Sequence, residues 1–292
     1  MSEQPKRLTG WPGAWAGMAL LTLTVLCSGI GAQSPEAGQE ENWAAFRARA
    51  EKFYTHINRG DLKNFSFFFS SSTFVNFVRQ LGDTTDYYPL KFVWTREGNY
   101  YFILRPVPSV VDTSTYRDYM MRANELKQLF RGLLLDWEKF FVNSPFEDIP
   151  GDVRVHWGKD TVTASFWFEQ GDKRLFMKRT FFRNGLLARD LWQDGPARVI
   201  NYPIYREVNG RWVCYGWDTQ VQQGDSIVSG LAVRADVQKI GDRWLPLRLD
   251  VTAQSSKYPG RRSTTSIFLK NFLFNEDIEV VKTPPSNPSG QP

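Results

Sequence analysis

Residues 224–275 read GDSIVSGLAVRADVQKIGDRWLPLRLDVTAQSSKYPGRRSTTSIFLKNFLFN. Ile227, Leu231, Val233, Ala235 and Val237 fall on one side of an extended chain, with Arg234, Asp236 and Gln238 on the other. After Gly241-Asp242, Leu245, Leu247, Leu249, Val251 and Ala253 oppose Pro246, Arg248, Asp250 and Thr252. A final run sets Phe268, Phe272 and Phe274 against Ile267, Leu269 and Leu273. A period of two is the signature of a strand with one covered face. Working back toward the N-terminus, Val162, Ala164, Phe166 and Phe168 alternate with Thr163, Ser165 and Trp167. Turn signals stand at Gly158-Lys159-Asp160, Gly171-Asp172, Asn184-Gly185, Asn209-Gly210 and Gly224-Asp225. Such spacing suits hairpins and is too short for helical crossovers. Residues 152–274 therefore read as an antiparallel meander of about eight strands.

Residues 42–150 read as helix-rich. Trp43, Phe46, Ala50, Phe53 and Ile57 step by three and four, which predicts one helix capped by Asn42 and ended at Arg59-Gly60-Asp61. Phe65–Ser70 predicts a short strand. Ser72 then caps a short helix with Phe74, Phe77, Val78 and Leu81 inward, and Lys91–Trp94 with Tyr100–Leu104 forms a hairpin. The longest helix is expected over 113–142, capped by Asp112 or Thr113. Its apolar stripe is Tyr116, Tyr119, Ala123, Leu126, Phe130, Leu133, Trp137 and Phe140, widened by Met120, Leu129, Leu134 and Phe141. So broad a stripe needs a large cover. The expected fold class is α+β: a curved antiparallel β-sheet, an unclosed barrel, wrapped around long amphipathic helices.

Composition sets the outer limits. With 42% hydrophobic and 23% charged residues the chain is neither a disordered polymer nor a rod. Two His and two Cys argue against a multi-ligand metal site, and the net charge of +5 favours anionic surfaces only weakly. Residues 1–32 read as an export signal, with Lys6 and Arg7 ahead of the apolar run Ala14–Cys27 and small residues near Ala32. An uncleaved N-terminal anchor is the alternative, and lipidation of Cys27 ranks lower because Leu26 is large. Removal of the signal leaves Cys214 alone, which excludes an intrachain disulfide. Residues 33–41 read as a linker, 42–282 as one domain and 283–292 as a disordered Pro/Gly/Ser tail. The expected location is the periplasm or cell envelope.

No phosphate-binding loop or nucleophile elbow occurs after the signal. His56 and His156 are far apart and read as structural or surface residues, and Cys214 as an inert buried thiol. Cations gather at Lys173-Arg174, Lys178-Arg179-Arg183 and Arg261-Arg262; the plain reading is a solvated strand edge, the sharper one contact with an anionic headgroup. Phe176, Phe181 and Phe182 among them resemble a single-strand nucleic-acid platform, but export argues against nucleic acid as a partner. The remaining feature is the 11 Trp, 11 Tyr and 22 Phe. Most belong in a core, yet such residues on a curved sheet also line an apolar cavity.

At Gly224–Phe274, with Gly241-Asp242-Arg243-Trp244-Leu245-Pro246 opening a strand and Ile267–Asn275 closing the domain, the chain resembles the bacterial lipoprotein-sorting carriers of the periplasm. The resemblance covers about a sixth of the chain by motif. It implies an unclosed barrel with a helical lid over a hydrophobic cavity that holds lipoprotein acyl chains or other lipids. On this reading the protein is an exported, non-enzymatic binding protein without a cofactor. The expected apolar wall is Phe166, Phe168, Leu231, Val233, Leu247, Leu249 and Val251 from the sheet, and Tyr119, Leu126, Phe130 and Trp137 from the long helix. Expected partners are a hydrophobic ligand, an envelope protein, and the membrane surface through peripheral contact. The rival readings are an envelope interaction module with a filled core and an envelope hydrolase with clustered carboxylates.

Overall fold

The computed structural model describes residues 42–81, 87–105, 112–170 and 173–277. The expected signal, linker and C-terminal tail, Cys27, and the turn at Gly171-Asp172 lie outside these residues. In chain order the elements are α1 (Trp43–Glu51), β1 (Asn64–Ser71), α2 (Ser72–Gln80), β2 (Leu90–Thr95), β3 (Tyr100–Leu104) and α3 (Thr113–Trp137), which runs on as one π-helical turn over Glu138–Val142. The remaining strands are β4 (Arg154–Trp157), β5 (Thr161–Gln170), β6 (Lys173–Phe182), β7 (Leu187–Asp194), β8 (Ala197–Val208), β9 (Arg211–Gln223), β10 (Ser226–Ile240), β11 (Arg243–Ser255) and β12 (Arg262–Phe274).

All twelve strands form one antiparallel sheet in the order β3-β2-β1-β12-β11-β10-β9-β8-β7-β6-β5-β4. The sheet is not closed: β3 and β4 are its edges among the described residues. The meander after residue 152 has nine strands rather than eight. The stretch expected to be mainly helical adds three more, joined through the pairing of β1 with β12. The two zones of the sequence are thus one sheet.

The curvature follows from what α3 touches. Trp137 packs its ring 5.7 Å from Phe67 on β1 and 5.7 Å from Phe92 on β2. One residue earlier, Asp136 accepts a hydrogen bond from Asn201 on β8. Strands β1 and β8 are five steps apart, about 24 Å in a flat sheet, while a helix with its side chains is only about 10–12 Å across. One helix meets both only because the sheet bends around it. The plural expectation of long helices is not realised: α3 has 25 residues, but α1 and α2 have nine each.

Three local expectations are corrected. The helix expected over residues 43–57 stops at Glu51, and Phe53 is exposed while Ile57 is buried in a bend. The cause is long-range. Strands β9 and β10 pair only as far as Gly216↔Arg234 and then splay. The lower half of β9 is left with an open edge, which residues 53–55 fill: the Trp212 amide donates to the Phe53 carbonyl (2.7 Å), and the Thr55 amide donates to the Trp212 carbonyl (3.0 Å). Leaving those buried groups unpaired would cost more than the helical turn given up. Second, Ser71 rather than Ser72 caps α2, accepting from the Phe74 amide, and Leu81 is exposed. Third, Tyr116 is exposed rather than part of the stripe of α3, whose cap is Asp112 as expected.

Strand β12 also departs from simple alternation. Asn271 adopts φ 54°, and the pairing with β1 slips between Ser66 and Phe68. A bulge of this kind puts two successive residues opposite one. Ile267 and Leu269 therefore face the core before it, and Phe272 and Phe274 after it. Phe272 meets Phe67 at 4.8 Å between ring centres.

The core beneath α3 is aromatic. Phe65, Phe67, Phe69, Phe92, Phe130 and Trp137 are buried. Phe130 lies 4.9 Å from Phe69 and 5.4 Å from Phe92. Each such ring contributes about 0.5–1.5 kcal/mol beyond its area burial. At the end of the sheet that carries the β6–β7 turn, α1 seats Tyr54. Its hydroxyl donates to the Gly185 carbonyl (2.9 Å) and accepts from the Leu187 amide (2.6 Å).

Candidate functional site

Residues directly opposite on successive strands form a line across the inward face: Ala164, Arg179, Asp190, Asn201, Thr219 and Leu231, from β5 to β10. Four of these are polar and buried. Arg179 Nε donates to Asp190 Oδ1 at 3.0 Å, and Thr219 Oγ1 donates to Asn201 Oδ1 at 2.7 Å. The end of α3 and the segment after it complete the ladder from above. Asn201 Nδ2 donates to Asp136 Oδ1 (2.7 Å) and Lys139 Nζ to Asp190 Oδ2 (2.5 Å). Arg179 donates to the Pro145 carbonyl (2.6 Å) and to both carboxylate oxygens of Asp148. Lys139 lies in the π-helical turn, where the widened backbone places it over the sheet.

The electrostatics follow from burial and pairing. Burial alone would raise the Asp190 carboxyl, but Lys139 and Arg179 together hold it below the ordinary carboxylate value. Burial likewise opposes the Arg179 charge, and Asp148 and Asp190 more than offset it. Three carboxylates face two cations, so one acid is in excess. It is Asp136: burial raises its pKa to about 6, with Lys139 pulling down and Asp190 pushing up. In the unfolded chain this carboxyl ionises near 3.8. The folded protein therefore holds the proton more tightly, and this contribution to stability is present below pH 3.8 and lost as the pH rises through 6. The full effect is about 3 kcal/mol. Asp136→Asn keeps the acceptor for Asn201 and removes the charge. It is expected to stabilise the protein by about 2–3 kcal/mol at pH 8 and by nearly nothing below pH 4, read from urea unfolding at the two values.

The next line of opposed residues, two positions along each strand, is apolar: Phe166, Met177, Trp192, Val199 and Val221. Phe166, Met177 and Val199 are buried, Trp192 and Val221 half-buried. Gly132 lies one turn before Asp136 on the same face of α3. Gly132 is exposed, and a Cβ added there would meet nothing within 4 Å.

The expected apolar wall is largely brought together. Phe166, Val233, Leu249, Val251, Leu126, Phe130 and Trp137 are buried in one cluster, with Phe168, Leu231 and Leu247 half-buried against it. Tyr119 is not with them. It packs on Phe74 of α2 at 5.2 Å and shares a second cluster with Phe77, Val78 and Ala123. Leu247 sits where the β10–β11 register slips between Asp236 and Val237, which takes it out of simple alternation.

The cationic run at 178–183 is reassigned. Strand β6 is interior, flanked by β5 and β7, so it is no edge. Arg179 is fully buried, and Arg183 is tied to the Gly158 carbonyl at 2.7 Å. Read as a charge patch, the run conceals the ladder. The signal was phase: Arg179 stands between Met177 and Phe181 on the inward side. Of the remaining titratable groups, His56 is held neutral, its pKa lowered to about 4 by burial and by Arg59. The buried Cys214 thiol is pushed up to about 12 by burial. Among the described residues no group of three or more His, Cys, Asp and Glu is placed to hold a metal ion.

Comparison with protein families, with curated proteins and with solved structures returns no match for this chain.

Proposed function

We propose that the protein is an exported, non-enzymatic binding protein that takes a lipid or lipoprotein acyl chain against the inward face of its unclosed sheet. The observation that carries the reading is the apolar line Phe166–Met177–Trp192–Val199–Val221 across the inward face, of which Trp192 and Val221 are only half-buried. Phe168 extends this surface. Each methylene placed there gains about 0.8 kcal/mol, so a long chain overcomes the cost of its own ordering. The charged ladder limits the depth of the chain. Asp190, Asn201 and Thr219 are satisfied by protein partners, so hydrocarbon stops at that line. The same satisfaction supports the non-enzymatic reading: Asp190 and Arg179 have no exposed surface, and their bonding capacity is used within the fold.

Native mass spectrometry of the purified protein is expected to find a co-purifying lipid, and a fluorescent fatty acid is expected to bind. Val221→Asp puts a charge on that half-buried line and is expected to weaken that binding about tenfold. Gly132→Ala is expected to raise stability by about 0.5–1 kcal/mol with binding retained, because glycine is a poor helix former. Absence of lipid together with no fatty-acid binding would overturn the proposal.

A second reading, an envelope interaction module, is favoured by a different observation. The edge strand β3 exposes Tyr100, Tyr101, Ile103 and Leu104, with no charged residue to discourage pairing. It predicts no lipid uptake and a protein partner seated on β3.

A further inference from the structure

The splay of β9 from β10 leaves a cleft that the lipid reading does not use. It has a volume of about 200 Å³ and lies between the β8–β9 turn and the β10–β11 turn. Its walls carry three cations, Arg59, Arg211 and Lys239, with Thr55, Asn209 and Trp244 beside them. The one acid, Asp242, is tied to Arg243 at 2.9 Å. Among the described residues none of the three cations forms a salt bridge, although Asp242 partly offsets the charge of Arg59. Arg59 donates to the Tyr54 carbonyl and Arg211 to the Lys52 carbonyl, which orients both guanidinium groups and neutralises neither. Like charge is crowded here: burial, then Arg211, lower the Arg59 pKa, with Asp242 opposing and Arg243 adding to the fall. Arginine remains charged at any physiological pH, so the crowding is relieved by an anion rather than by loss of a proton.

We infer that this cleft is an oxyanion site, built for a phosphate group through Arg59, Arg211 and Lys239. The fork of a guanidinium matches two phosphate oxygens, and a lysine ammonium adds a point charge. The Asn209 amide supplies a neutral donor. The phosphate belongs either to a lipid headgroup or to a free phosphate, and the site stands whether or not the sheet takes an acyl chain.

Calorimetric titration of the full chain at low salt tests it, with inorganic phosphate, inorganic pyrophosphate and short-chain dihexanoyl phosphatidic acid as separate probes. Binding is expected, and Arg211→Ala with Lys239→Ala is expected to weaken it about tenfold or more. Arg198→Ala with Arg262→Ala, two exposed cations outside the cleft, is the control of equal charge and is expected to change affinity less than about twofold. Tighter binding of the phosphatidic acid than of inorganic phosphate, lost in the double variant, assigns a lipid headgroup. Equal binding, lost in the same way, assigns a free phosphate. No binding of any probe at millimolar concentration overturns the site, and so does an equal loss in the control. Should Arg211→Ala unfold the protein, Lys239→Ala alone carries the test, since the Lys239 side chain is exposed.

Discussion

Asp190→Ala is expected to lower the unfolding free energy by about 3–5 kcal/mol at neutral pH, measured by urea denaturation. The reason lies in what the change leaves behind. Arg179 and Lys139 both donate to Asp190, and neither has more than a trace of exposed side chain. Lys139 would be left with Asp136 at 3.9 Å, a longer contact to an acid that already resists ionisation. Arg179 would keep Asp148. Breaking a buried pair from one side strands a charge, and that is far costlier than removing both partners. The matched experiment is therefore the pair Lys139→Met with Asp190→Leu, which leaves Arg179 on Asp148 and is expected to recover most of the loss. Asp148→Ala, at a position with a third of its side chain exposed, is expected to cost less than Asp190→Ala because water takes over part of its role. A loss below about 1 kcal/mol for Asp190→Ala would mean that the ladder is not a stabilising element.

Gly216→Ala is expected to cost about 4 kcal/mol. Gly216 has φ 134°, a region that residues with a side chain rarely adopt. It stands at the last rung where β9 and β10 pair. A Cβ there would fall inside the van der Waals envelope of the Val233 carbonyl oxygen, and a backbone atom has no rotamer by which to yield. The substitution is expected to part β9 from β10 higher up the sheet and to loosen the seating of residues 53–55. The loss of stability should therefore come with faster hydrogen exchange at the amides of Thr55 and Trp212. Gly210→Ala, in the β8–β9 turn with open space around it, separates the two causes, because it keeps the positive φ (72°) without the clash. It is expected to cost only about 1–2 kcal/mol.

Much of the fold was legible because strand alternation and helix caps are local. The arms of β10 and β11, the β2–β3 hairpin, the start of α3 at Asp112 and the start of α1 at Asn42 were all read from side-chain period and from short polar residues before apolar runs. The departures occur where a distant partner competes with a local preference. Residues 53–57 continue the helical spacing of α1, but the open edge of β9 recruits them. Asn271 looks like an ordinary outward residue until the pairing of β12 with β1 demands a bulge.

The sites were less legible than the fold. Most of the residues named for the apolar wall do fall in one buried cluster, because burying greasy residues is what alternation reports. Tyr119 was misplaced because a stripe on one helix does not say that its upper turns serve α2 and its lower turns the sheet. The ladder and the basic cleft were missed altogether. Asp136, Lys139, Asp148, Arg179 and Asp190 come from three separate segments, and no spacing along the chain joins them. Arg59, Arg211 and Lys239 are equally scattered, and they meet only because two strands part.

By itself the sequence determined that this chain forms antiparallel hairpins with one apolar face, a long helix to cover it, and a core made chiefly of aromatic rings. These are consequences of side-chain period and turn chemistry, which act over a few residues. The tertiary structure alone decided that β1 closes against β12, that the sheet bends far enough for one helix to touch both halves, and which charges are buried together. Those outcomes depend on which distant surfaces bury the most apolar area while leaving no buried polar group unpaired, a condition on the whole chain that no local pattern expresses.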